Sequence, residues 1–440
     1  MTIAFLFASF AVLLLVGTPV AVALGGSVVL ASLWSGALPV PIIGQKLYAN
    51  LDHFTLMAVP FFFLAAALME TGGIVRHLVA LANMLVGRFR GGLGMTAVLT
   101  CMFFAAISGS SPATVAAVGA IMIPALTKHG YPTNYAIGVV TTAGGLGILI
   151  PPSIPLILYG FVTETSIPKL FMAGILPGLL YGAMLMLMAR FLARKLAVAP
   201  PEFMSAAEKA RAVRLAVPAL MLPVFLVIGI YGFPAFSLGG MTFEGGAIFT
   251  PTEAALLCAT AALLIGVLIY RQTTLRSLVS TVLTVTPRVG MVFWIVTNAV
   301  LFGFFLAQQG VPTALANWLV SMDMPVWAFL LLVNLILIVA GMFLDGVPMI
   351  LMFMPVLFPA AKALGVDPIH FGIMVVVNIE LGLLTPPVGL NLFVASTISG
   401  VPLARVIVAV LPWACVTLTM LILTTYLPII STFLPSLMVD

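Results

Sequence analysis

The sequence predicts an all-α polytopic membrane protein made of inverted repeats, with two re-entrant helical hairpins and two broken helices. Three observations predict it. First, 63% of the 440 residues are hydrophobic and 7% are charged, against about 45–50% and about 25% in a soluble domain. These charges are too few to coat a water-exposed surface of this size. Second, apolar runs recur from Ile3 to Pro428. A bilayer core of about 30 Å takes roughly 20 apolar residues per helix, which leaves room for about a dozen spans or half-spans. Third, the two halves of the chain break at matching places.

Taken in order, residues 3–16 and 19–34 are apolar spans joined by Gly17-Thr18-Pro19. The first has no basic flank and no small-residue cleavage site, so it is a span and not a removable signal. Residues 38–56 carry Lys46, Asp52 and His53, and residues 74–90 mix Leu and Val with Arg76, His77, Arg88 and Arg90. Both suit helices lying in the interface. Between them, 57–69 is a span that ends at Glu70-Thr71-Gly72-Gly73. Apolar residues 94–107 and 115–126 flank a small-residue cluster at 108–114. After a polar piece, 135–160 is apolar with a Gly/Pro break in its middle. A span at 171–192, a polar loop at 193–214, and spans at 215–231 and 253–270 around a Gly-rich loop complete the first half. The second half gives a span at 289–307, an amphipathic piece at 308–323, and apolar 325–343 and 349–364 around a break at 344–348. A broken stretch at 369–397 and a last span at 406–427 follow.

The matching breakpoints share one offset, 359 − 124 = 235, set by Pro124 and Pro359. The same offset relates Gly130 to Gly365, Gly147 to Gly382, Pro151-Pro152 to Pro386-Pro387, and Ser110 to Asp345. Apolar bias produces chance Leu or Val matches, but not a repeated mid-span Pro-Pro pair. Charge placement fixes the orientation. With 193–214 cytoplasmic, counting spans leaves only Lys46, Lys169 and Lys362 of the 17 Lys and Arg outside, as the positive-inside rule requires. The count works only if 94–128 is a hairpin entering from the cytoplasmic side and 325–364 one entering from the other. The N-terminus is then periplasmic. Inverted repeats with broken helices are the architecture of many secondary transporters.

The breaks carry the chemistry. Ser108-Gly109-Ser110-Ser111-Pro112 interrupts apolar sequence, and in lipid each unsatisfied peptide group costs several kcal/mol. Free carbonyls and Ser hydroxyls there suit a hard cation such as Na⁺, and helix N-termini suit a carboxylate; a tight turn with Ser caps is the plain alternative. In Leu344-Asp345-Gly346-Val347-Pro348 the acid is costly at mid-membrane and is also placed to cap a helix. Gly144-Gly145-Leu146-Gly147 through Pro151-Pro152-Ser153, and Asn378 through Gly382 to Thr385-Pro386-Pro387-Val388-Gly389-Leu390-Asn391, form the second pair of interruptions. Proline frees a carbonyl one turn earlier and glycine lets a ligand approach the backbone. Glu380, in apolar surroundings, is either a structural partner for a helix end or a proton-linked group.

Other classes are excluded. The net charge of +5 comes without a basic stripe interleaved with aromatics, so nucleic acid is not the partner. Cys101, Cys258 and Cys415 lie in apolar runs, and the four His show no ligand spacing. No phosphate loop, Ser/His/Asp set or zinc motif is present, so neither ATP-driven work nor enzyme catalysis is expected and no cofactor is called for.

The stretches SGSSPATVAAVG (108–119), GILIPPSIPLILYG (147–160), GAIFTPTEAA (246–255), FLDGVPMILMFMPVLFP (343–359) and GLLTPPVGLNLFV (382–394) resemble, in order and spacing, the large membrane subunit of TRAP (tripartite ATP-independent periplasmic) transporters. The resemblance covers essentially the whole chain. It implies an elevator-type transporter of the bacterial inner membrane that couples uptake of a small organic anion to Na⁺. It also implies two partners, a periplasmic substrate-binding protein and a small four-helix membrane subunit, the latter expected as a separate polypeptide. In the division it implies, 1–90 and 169–288 are scaffold, 91–168 and 325–400 are halves of a transport domain, 289–324 is a span with an interfacial arm, and 401–440 holds the last span. Carried over residue by residue, Ser108, Ser153, Asn298, Gln308, Asp345 and Asn391 are expected near the substrate. Ser110, Ser111, Gly147, Gly341, Asp345, Gly346, Gly382 and Thr385 are expected around Na⁺. Two rivals remain: a stand-alone carboxylate transporter needing no binding protein, and a non-transporting membrane scaffold.

Overall fold

The computed structural model describes residues 1–196, 204–232, 236–238, 241–243 and 248–438. Nine helical segments among them are long and apolar enough to cross a bilayer. The all-helical expectation needs one amendment, a small antiparallel pair of strands, β1 (Phe236–Leu238) and β2 (Met241–Phe243), with Phe236 opposite Phe243.

Two apolar helices open the chain, α1 (Thr2–Leu15) and α2 (Val20–Ser35), and pack on each other. The short α3 (Val40–Ala49) precedes α4 (Ala58–Thr71). Helix α5 (Ile74–Val86) buries Ile74, Val75, Leu78, Leu81 and Ala82, one face at helical spacing. Its 13 residues rise about 20 Å, too short to span, which agrees with an interfacial helix.

The first hairpin is α6 (Gly92–Ser108) and α7 (Ser111–Lys128), joined through Gly109 in the left-handed region at φ 63°. Glycine carries no Cβ penalty there, so the chain reverses within two residues. The first broken helix follows as α8 (Thr133–Ala143), the one-turn α9 (Leu146–Leu149) and α10 (Ile154–Thr163). Then come α11 (Ile167–Ala193), α12 (Ala206–Tyr231) and α13 (Pro251–Leu264), the last continuing into a π-helical turn at Ile265–Ile269. Helix α12 begins inside the stretch expected to be loop. Ser205 and Glu208 form a reciprocal capping box, with Glu208 Oε2 accepting from Ser205 N at 2.7 Å, and this starts the helix before the apolar run does. Thr250 and Glu253 do the same for α13; residues 246–247 of that motif lie outside the described residues.

Helix α14 (Leu275–Gln308) is 34 residues long and runs through Pro287. At about 51 Å it exceeds the hydrocarbon core. It is followed by α15 (Val311–Ser321) and the second hairpin, α16 (Val326–Gly341) and α17 (Gly346–Ala363). The second broken helix is α18 (Pro368–Leu383) and α19 (Leu390–Ser399), and α20 (Leu403–Tyr426) and the one-turn α21 (Ile429–Thr432) close the chain.

The offset of 235 holds in space. Helix α17 starts and ends 235 residues after α7, since 346 − 111 and 363 − 128 are both 235. The repeats interleave: α7 of the first packs against α19 of the second, and α17 of the second against α10 of the first. Equivalent residues touch at the centre. A Cβ built on Gly145 would lie 2.2 Å from Cδ of Glu380, its mate at 145 + 235. A residue can meet its own mate only near the axis relating the repeats, so this pair marks that axis.

Candidate functional site between the hairpin tips

Each tip is tied to the broken helix of its own repeat. Ile154 N donates to Gly109 O at 3.2 Å, and in the second repeat Val388 N and Gly389 N donate to Met342 O at 3.2 and 3.4 Å. Glycines make the approach possible. A Cβ on Gly147 would lie 2.4 Å from Thr114 Oγ1 and 2.6 Å from Ser110 O. Gly341 and Gly382 meet backbone to backbone, and a Cβ on Gly382 would lie 2.7 Å from Gly341 Cα. Where no hydrophobic force drives helices together, small residues let backbones approach and carbonyls converge.

The first tip is a small hydroxyl network. Ser108 and Thr114 share a hydrogen bond of 2.9 Å, and Thr114 Oγ1 lies 2.9 Å from Ser110 O, which it meets as donor. Ser153 spans the first break: its hydroxyl donates to Ile148 O at 2.5 Å and accepts from Leu156 N at 3.3 Å. One side chain thus caps both the end of α9 and the start of α10. At the second tip, Asp345 is the N-cap of α17 and its Oδ1 accepts from Gly346 N at 2.7 Å. Thr385 Oγ1 turns back onto Leu381 O at 2.6 Å.

Between the tips lies a cavity of about 40 Å³. Its wall includes Gly109 and Ser110 of the first tip, Asp345 and Gly346 of the second, Ile148 and Ile154 flanking the first break, Ile379 and Leu383 of α18, and Phe63 of α4. Ser110 is half-buried and Asp345 exposed. Ser110 stands at the N-cap position of α7 without a side-chain cap, and Asp345 caps α17, so two helix N-termini, each with partial positive charge, face one small space from repeat-equivalent positions. Organic ligands occupy pockets of about 300–1,000 Å³. In this conformation the space therefore accepts an ion or a water molecule, and an organic acid requires the tips to part.

The structure brings Ser108, Ser110, Gly147, Ser153, Asp345 and Gly346 to this region, with Gly341, Gly382 and Thr385 along the second break. Ser111 and Asn391 lie behind the wall, joined by a hydrogen bond of 2.7 Å. Two residues expected to face the substrate are elsewhere. Asn298 is buried against α2, where a Cβ on Gly25 would overlap its side-chain oxygen, and its amide donates to Trp294 O. Gln308 is exposed at the end of α14. Their span packs against α2, which spacing alone does not show. Behind the site, Asn378 joins a buried polar chain whose other members, Asn334 and Thr425, the sequence does not single out: Asn378 Nδ2 donates to Asn334 Oδ1 at 2.9 Å, and Asn334 Nδ2 to Thr425 Oγ1 at 2.9 Å. An Asn inside each of two apolar runs was the available signal.

Comparison with known proteins agrees with this architecture. Residues 7–430 match the family described as tripartite ATP-independent periplasmic transporter, DctM component. The chain is 44% identical over 391 residues to the C4-dicarboxylate TRAP transporter large permease protein DctM of Pseudomonas aeruginosa, covering 89% of this chain and 88% of that one. It is 40% identical to the protein of the same description from Rhodobacter capsulatus, covering 97% of each. It is 38% identical to the isethionate TRAP transporter permease protein DctMQ of Oleidesulfovibrio alaskensis, covering 97% of this chain and 65% of that one. Among solved structures, the YdaH transporter of Alcanivorax borkumensis, described as having an unusual topology, aligns with a TM-score of 0.62 at 16% identity, covering 88% of this chain and 89% of that one, and shares the fold. The chain belongs to the DctM family, the large permease components of TRAP transporters.

Proposed function

We propose that this chain is the permease through which a small organic anion, a C4-dicarboxylate or a similar acid, enters the cell with Na⁺. The observation that carries the reading is the cavity shared by the two hairpin tips, with Ser110 and Asp345 at repeat-equivalent places on its wall. Two helix N-termini favour a carboxylate there, but the charge of Asp345 opposes one. A cation held by Asp345 and the nearby carbonyls of the breaks removes that opposition, so Na⁺ binding precedes and favours anion binding. This is a coupling free energy in the strict sense, and it is reciprocal. The hairpins and broken helices, 91–168 and 325–400, then move as one body against the remaining helices, in elevator fashion, with the N-terminus periplasmic in the inner membrane. Substrate arrives on a periplasmic binding protein, and a small membrane subunit completes the permease. The names of the relatives support the substrate class.

The test is uptake of radiolabelled succinate into proteoliposomes holding this chain and its small subunit. The expected result is uptake that needs both an inward Na⁺ gradient and the binding protein. Equal uptake with K⁺ in place of Na⁺ would overturn the coupling, and uptake without the binding protein would favour a stand-alone transporter.

A further inference from the structure

Glu380 takes no part in the steps above. It lies in the last turn of α18, where the second broken helix is interrupted, and is 2% exposed. Its carboxyl group joins three other elements. Oε1 accepts from Asn391 Nδ2 of α19 at 3.2 Å, and the same amide donates to Ser111 Oγ of α7 at 2.7 Å. From the first broken helix Gly145 presses against it. Two fully buried oxygens in this knot, Glu380 Oε2 and Asn391 Oδ1, have no partner among the described residues. In an ionised Glu–Asn pair both are acceptors only, so neither can satisfy the other.

The surroundings supply no countercharge. Of the helices packed against α18, α9, α10, α16, α19 and α21 carry no charged side chain. Lys169 and Arg190 on α11, Lys362 on α17 and Arg405 on α20 stand in the first or last four residues of their helices, and none acts on Glu380. Asp345, at the tip of α17, faces the cavity beyond Ile379 and Leu383. Asp367 and His370 are at the far end of α18 itself. The titratable neighbour is Tyr181 of α11, with Cys101 of α6 beyond it. Its hydroxyl is already engaged by Thr142 O and Thr417 Oγ1. An isolated carboxylate in such a place is costly, and buried groups of this kind neutralise instead. The Ser111 hydroxyl and the Asn391 amide both hydrogen-bond the carboxyl, but neither carries a charge; one proton on the carboxyl cancels the negative charge and supplies a donor that Asn391 Oδ1 can accept from.

We propose that Glu380 is a proton-binding site: it is carried as a neutral acid paired with the Asn391 carboxamide, and in that form it fastens the first hairpin to the second broken helix. The site lies beside the repeat axis, where the first hairpin and both broken helices meet.

The test is thermal unfolding of the detergent-solubilised protein across a pH series, for the wild type, E380Q and the exchanged double variant E380Q/N391D. Gln is an isostere of the neutral acid. A Glu that is neutral in the fold and ionised when unfolded makes folding take up one proton. The stability it lends is present at acid pH and is lost as pH rises, tenfold in the folding equilibrium per pH unit. The expected result is that E380Q matches the wild type at acid pH and gains on it steadily as pH rises. The exchanged variant rebuilds the acid–amide pair and is expected to behave as the wild type. An E380Q protein whose deficit against the wild type grows with pH overturns the proposal, because that is the behaviour of an ionised carboxylate held in the fold. If E380Q does not fold, failure of the exchanged variant overturns it as well. The measurement uses neither substrate nor Na⁺, so it stands apart from the outcome of the uptake test.

Discussion

Ser153 does more than a single hydroxyl usually does, because the break in the first broken helix leaves orphaned groups on both sides of it. Its oxygen donates to Ile148 O and accepts from Leu156 N, and it is fully buried. Ser153→Ala removes the cap and leaves both groups without that partner. The cap alone is worth about 1 kcal/mol, so the variant is expected to unfold at lower temperature in detergent, with Ser153→Thr recovering most of the loss. An alanine variant as stable as the wild type would show that the break holds without it. Gly382→Ala is the harsher change. Its Cβ would stand 2.7 Å from Gly341 Cα, and a backbone atom cannot rotate away as a side chain can. Overpacking of this kind costs about 1–3 kcal/mol, and the expected outcome is a lowered unfolding temperature together with loss of succinate uptake. The sequence marks Gly382 through the matched offset and Ser153 through the Pro-Pro interruption it closes, but it does not show what they touch. That Gly382 faces Gly341, and that Gly147 faces Ser110, are facts of packing between segments distant in the chain.

At the scale of elements, the breaks were legible because Gly, Pro and Ser each disturb a helix for a stated reason. The turn at Gly109, the interruption before Ser153 and the start of α17 at Gly346 all fall where those residues cluster. Less legible was α14. Pro287 and Arg288 argue for a boundary, and a span starting at 289 was the natural expectation, yet the helix runs from Leu275. Proline removes only one donor, and spanning helices tolerate it where neighbours re-satisfy the freed group. The capping boxes at Ser205 and Thr250 were readable, since Glu follows three residues later in each. At Asp345 a cap and a charge coincide, and substitution separates them. Asparagine is as good a cap as aspartate, so Asp345→Asn keeps α17 and removes the charge. If the acid serves only as a cap, uptake and its Na⁺ dependence survive in Asp345→Asn. The expectation here is instead an unchanged unfolding temperature without Na⁺, and uptake that is lost or no longer Na⁺-dependent.

For the whole molecule, the decisive property is how the two repeats face each other. Their equivalent helices interleave, Gly145 meets Glu380, and both hairpin tips open on one cavity. Those contacts establish an axis but do not say how it lies in the membrane. An axis along the membrane normal would bring both hairpins in from one side, whereas an axis in the membrane plane brings them in from opposite sides. Charge decides between the two. Only the second arrangement leaves Lys46, Lys169 and Lys362 as the sole basic residues outside, and the positive-inside rule acts most strongly on short loops such as these. The consequence is testable at the far ends of the two equivalent helices. Lys128 closes α7, Ala363 closes α17, and both are exposed. In a chain freed of Cys101, Cys258 and Cys415, Lys128→Cys is expected to react with a membrane-impermeant maleimide only after the cytoplasmic side is opened. Ala363→Cys is expected to react in intact spheroplasts. Labelling of both from the same side would place the axis along the normal, and with it would go the argument that a cavity between the tips can open first to one compartment and then to the other.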